Sequence, residues 1–237
     1  LNPSIHDLER AALELLGGIV QEVHESPGDG GPLEESFHYR HANNVVWLAD
    51  EVLFLIREDQ IVGPPILLRV MLESVFNLAA SVSIENFHAR KTVWELRDML
   101  RRLRNLGLES AMGGNRGDVV ALIDRIEKQY ALEVNEPSWP VSRIALEAGV
   151  TAFLRKEYFI LSGHIHSSSA TLLSRDSGTY SGLIHQTLIT SLVLSAGFSA
   201  QLLETKDPQV YIDRATALGH QQQELIRSGA FDDGNDL

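Results

Sequence analysis

The chain has 237 residues, 44% of them hydrophobic and 22% charged, with a formal net charge of −12 and no cysteine. That length suits one large domain or two small ones and is enough to bury a substantial core. The missing thiols exclude disulfide staples, thiolate nucleophiles and Cys-ligated zinc or iron–sulfur centres. The acidic balance repels phosphate backbones, which argues against duplex DNA as a partner. No apolar run of about 18 residues is uninterrupted, so no membrane span is expected. Leu1-Asn2-Pro3-Ser4 lacks the basic start and apolar run of a signal peptide, which points to the cytoplasm.

Helix-period spacing dominates the chain. Ile5, Leu8, Ala12, Leu15, Ile19 and Val23 recur at threes and fours, with Ser4 placed to cap the first turn. Gly17-Gly18 weakens the middle of this helix and is a place for a bend. Residues 26–34 read as a loop. A second helix is predicted over 36–57. Gly63-Pro64-Pro65 opens a third, because proline suits a first turn whose N–H groups have no partner. It runs to about Val82, and a fourth runs from about Ile84 to Leu106; the pattern does not decide whether they join near Ser83. Residues 111–117 read as a loop, 118–132 as a fifth helix and 134–141 as irregular. Helices follow near 150–168, 181–205 and 208–228, and 229–237 read as a frayed tail. The expectation is an all-α bundle of about seven helices in one domain, residues 1–237, with its core at about 36–228.

Six cations cluster on the fourth helix: Arg90, Lys91, Arg97, Arg101, Arg102 and Arg104. They make either a solvated face or a local patch for an anion. The third helix is more informative. It is apolar nearly all round, which marks a buried element, yet Arg69, Glu73 and Asn77 fall at i, i+4 and i+8 on one face. A buried charge is costly unless paired and hydrogen-bonded, and Arg69 and Glu73 are spaced to pair. On a later helix Arg155, Tyr158, Ser162 and His166 share one arc of about 80°. Each stripe is either a hydrogen-bonded seam between helices or the wall of a pocket. A carboxylate placed like Glu73 needs donors beyond one arginine, so the two stripes are expected to meet.

This pair of patterns, Arg-x-x-x-Glu-x-x-x-Asn and then Tyr-x-x-x-Ser-x-x-x-His, resembles a bacterial all-helical family of unknown function over roughly residues 40–205. The resemblance implies an all-α fold and a single shared site, and it carries no activity.

The composition and stripes fit a module that binds a small molecule or a partner protein in a polar pocket between helices. A second reading is a metal-independent ribonuclease of the HEPN type, which pairs an Arg with a His to move protons and stabilise charge on phosphate; the formal match is Arg214 with His220. A third is a metal-dependent hydrolase using His164, His166 and Glu73, although His-x-His diverges on a regular helix. No HExxH motif or EF-hand loop is present, so neither metal nor cofactor is expected. The apolar stretch Leu183 to Leu203 suits either the core or a face between copies of the chain.

Overall fold

The computed structural model describes residues 3–25, 33–60, 62–107, 115–132, 137–165 and 178–231, and at 34, 115, 163–165 and 178–180 the backbone alone. Among the described residues there are nine helices and no strand, an all-α fold. The helices are α1 (Ile5–Glu25), α2 (Leu33–Arg57), α3 (Gly63–Ser83), α4 (Phe87–Asn105), α5 (Asn115–Gln129), α6 (Val141–Glu147), α7 (Ala152–Ile165), α8 (Gly178–Leu202) and α9 (Pro208–Arg227).

The count exceeds the expected seven for two local reasons. First, α6 has only seven residues, too few to show a helical period, and it lies partly in a segment read as irregular. Second, α3 and α4 are separate, because Asn86 adopts a left-handed conformation (φ 53) between them. Asparagine tolerates that conformation better than most residues. Two predicted loops are shorter than expected: Leu33 and Glu34 already belong to α2, and Asn115 to Gly117 to α5. Residues 26–32 and 232–237 lie outside the described residues.

Helix starts follow their caps. The Ser4 hydroxyl accepts from the Asp7 N–H at 3.1 Å, and the Asp7 carboxylate accepts from both the Ser4 N–H and its hydroxyl, a reciprocal box. Pro64 and Pro65 open α3, and Asp207 before Pro208 caps α9 by accepting from the Val210 N–H. Gly17 and Gly18 leave α1 unbroken.

The core centres on α3 and α8, which among the described residues are the two helices apolar and long enough to cross a membrane by length and composition; both are packed into the body of the bundle. Helix α3 touches α2, α4, α6, α7 and α8, and α8 also lies against α1, α2 and α9. Leu68, Leu72, Val75 and Phe76 are all fully buried, as the patterning of α3 predicts. At the far end of α8, Gly182 sits where any Cβ would collide with the Phe231 backbone carbonyl, so the chain can close there only over a glycine.

Helices α4 and α5 form an outlying pair around Ala89, Val93, Ile123 and Ile126. The Arg97–Glu127 ion pair joins them. The cations of α4 do not stand as an uncompensated patch: Lys91 faces Glu95 at 3.8 Å, while Arg101 and Arg102 both engage Asp98.

Truncation at the centre of α3 tests this arrangement. Leu72→Ala should cost about 2–5 kcal/mol in urea unfolding, the range for removing a fully buried Leu side chain. A loss below about 1 kcal/mol would place Leu72 outside the core.

Candidate functional site

The stripe on α3 and the stripe on α7 meet through one phenol. Arg69 Nη1 lies 2.8 Å from Glu73 Oε1, an i,i+4 pair along α3. Arg69 Nη2 donates to Tyr158 Oη at 3.0 Å, and Tyr158 Oη donates to the same Glu73 Oε1 at 3.0 Å. The guanidinium carbon also stands 5.2 Å from the Tyr158 ring centroid, and Phe76 of α3 supports the other contact of that ring at 5.6 Å. The cation, carboxylate and phenol therefore close a triangle across two helices. The charged side chains are one quarter to one third exposed, so the triangle lies at the edge of the core with one side toward solvent.

The other predicted members of the stripes are placed differently. Ser162 sits one turn beyond Tyr158; its hydroxyl donates to the Tyr158 backbone carbonyl at 2.7 Å, and its side chain also acts on the phenol, opposing the upward shift of its pKa. Asn77 is buried, with its backbone carbonyl accepting from Ser81 at 2.9 Å; among the described residues its side chain takes no part in the triangle. Arg155 is half-buried on the Tyr158 face of α7, and its Nε, like that of Arg69, is a buried donor with no acceptor among the described residues. His166 lies outside the described residues, as does the side chain of His164.

The triangle fixes the protonation of its phenol. Burial, the nearby Glu73 charge and the hydrogen bond to it push Tyr158 up to about 12. Tyr158 is therefore neutral at physiological pH, a donor and acceptor rather than a base. On the next face of α7, Glu157 is almost fully buried, and burial raises its carboxyl above the ordinary range.

Two clefts lie elsewhere. One, of about 400 Å³, is open and lined by Arg40, His41, Asn43, Asn44, Trp47 and Glu95. His41 Nδ1 is 3.3 Å from the Ser74 hydroxyl, which also accepts from Asn44 Nδ2 at 2.8 Å. Burial, reinforced by Arg40, Lys91 and His38, lowers His41 to about 3. The second cleft, of about 290 Å³, is lined by residues of α1, α2 and α8, among them His6, Glu9 and His185. The triangle residues line neither cleft.

The His6–Glu9–His185 group escaped sequence reasoning, because Glu9 and His185 are 176 residues apart. The one legible signal is a lone acid, Glu9, on the apolar side of α1. The formal ribonuclease pair is not convergent: Arg214 and His220 are both exposed, and six residues along α9 place them about 120° apart around the helix.

No protein-family model, curated protein or solved structure matches this chain.

The His41 environment predicts acid sensitivity. A histidine whose folded pKa is depressed stays neutral in the fold while the unfolded chain takes up a proton below about 6.5. Stability should therefore fall as pH drops from about 6.5 toward 3, by up to about 1.4 kcal/mol per pH unit. His41→Gln should flatten that slope in urea titrations at several pH values. An unchanged slope would show that His41 is not buried as a neutral ring.

Proposed function

We propose that this chain is a binding module that holds a small polar molecule at the Arg69–Glu73–Tyr158 triangle, without duplex DNA or a membrane as partner. The observation that carries the reading is the position of the triangle. The only charged residues of α3 between Gly63 and Ser83 are drawn to one phenol at the edge of the core. The triangle ties α3 to α7, and its solvent side leaves part of the guanidinium and carboxylate open to a ligand. A binding surface needs that access.

The chemistry supports binding over catalysis. Tyr158 is held protonated, and Arg69 is neutralised by Glu73, so neither is poised as base or nucleophile. Together they offer a hydroxyl, a guanidinium and a carboxylate, which suits a ligand carrying both donors and acceptors, such as a zwitterion or a polyol. Arg155, half-buried on the same face of α7, adds a second cation beside the triangle.

A thermal-shift screen with amino acids, sugars and nucleotides tests the proposal on the purified chain. At least one compound should stabilise the wild type, by about 2.7 kcal/mol when present at roughly 100 times its Kd. Tyr158→Phe keeps the ring but removes the hydroxyl, so it should lose most of that stabilisation. A panel with no stabilising compound, or one whose effect survives Tyr158→Phe, would contradict the proposal.

A further inference from the structure

A carboxylate and two imidazoles converge at the buried seam between α1 and α8. Glu9 is 2% exposed and His185 1% exposed, and His185 Nδ1 is hydrogen-bonded to Glu9 Oε1. His6, one turn before Glu9 on α1, brings its own Nδ1 to within 3.1 Å of Glu9 Oε2. The candidate ligand atoms of the three residues all lie within 4.8 Å of one another. His6 and His185 also meet edge to face, with ring centroids 5.7 Å apart.

We propose that His6, Glu9 and His185 form a binding site for one divalent transition-metal ion of the zinc type. Two imidazoles and one carboxylate make a donor set that zinc accepts, with nitrogen and oxygen at about 2.0–2.2 Å. Ligand atoms around such an ion stand about 3.4 Å apart, by tetrahedral geometry at those bond lengths. The present atoms bracket that spacing: the imidazole–carboxylate hydrogen bonds are shorter than it and the widest separation is up to 4.8 Å, so loading the ion means exchanging those hydrogen bonds for metal bonds with side-chain shifts of about 1 Å, within the freedom of an exposed side chain such as His6 on the first turn of its helix. The donor set also selects the ion. Magnesium and calcium prefer all-oxygen shells, and the softest ions seek the thiolates that this chain lacks.

The surroundings suit a site rather than a simple pair. Glu9 and His185 alone would satisfy each other as a buried hydrogen bond, and His6 adds a third donor from the solvent side. All three line the cleft between α1, α2 and α8, so the fourth position of the ion opens onto about 290 Å³ of free space. Three protein ligands with one open position is the arrangement of zinc sites that keep a water or an exogenous ligand. The spacing within α1 is the i,i+3 arrangement by which bundle helices present two ligands on one face. This site is independent of the triangle on α3 and α7, and its failure would leave the binding reading untouched.

The test uses the full chain, stripped with a chelator and titrated with Zn(II) by calorimetry and with Co(II) by absorption. One equivalent of Zn(II) should bind with micromolar or tighter affinity and raise the melting temperature. Co(II) should give visible d–d bands without the thiolate charge-transfer band. His6→Ala is the decisive variant, because His6 is exposed and its loss leaves the apo fold standing. It should weaken Zn(II) by at least about tenfold, since even the loss of an outer-shell partner costs about 10–100-fold. His220→Ala, on exposed α9, should bind as the wild type does. Glu9→Gln should abolish binding where it folds. No stoichiometric Zn(II) binding, or binding that His6→Ala leaves unchanged, would overturn the proposal.

Discussion

The fold depends on how charge is accommodated inside an apolar helix. Helix α3 is the hub of the bundle, and its central face is solid hydrocarbon from Leu68 to Phe76. Arg69 and Glu73 leave this element at the edge of the core, a quarter to a third exposed, so either one without a partner would be only partly compensated by water. Their mutual contact at 2.8 Å offsets part of that, and the Tyr158 hydroxyl, donating to one and accepting from the other, completes it. That requirement fixes the register of α7 against α3. A one-residue rotation of α7 would move the phenol about 100° away and leave both charges short of a partner.

The same constraint recurs between α1 and α8. Glu9 lies among Leu8, Ala12 and the inward face of α8, and its desolvation is met by imidazoles from both helices. Both sites tie elements distant in sequence through a carboxylate that accepts from more than one side chain. They differ in what surrounds them. The triangle stands at the edge of the core beside no described cleft, whereas the Glu9 group borders a cavity between three helices. The first suits recognition of a polar molecule, and the second suits an ion.

Much of this was legible in the sequence, for reasons that can be traced. Helices of twenty residues or more carry several turns of apolar residues, so α1, α2, α3, α8 and α9 stand out. Arg69, Glu73 and Tyr158 were legible because i,i+4 spacing on an apolar helix leaves charge with few ways to be satisfied. The seven-residue α6 was not legible, because two turns carry no period. The left-handed Asn86 that divides α3 from α4 is a backbone choice with no periodic trace. The Glu9–His185 bond was hidden because sequence spacing within one helix says nothing about which distant helix will lie opposite. Asn77 shows the limit of face arguments: it lies on the stripe and is buried, and yet among the described residues no hydrogen bond joins its side chain to the triangle.

Tyr158 and Glu73 act as one unit holding α7 to α3, and a double-mutant cycle measures their coupling directly. Urea unfolding of wild type, Glu73→Gln, Tyr158→Phe and the double variant isolates the coupling between the two side chains from their separate effects. Residues in one hydrogen-bonded network couple by about 0.5–3 kcal/mol. The geometry described here predicts a value of about 1 kcal/mol or more. Additivity within about 0.3 kcal/mol, the behaviour of distant and independent sites, would contradict it.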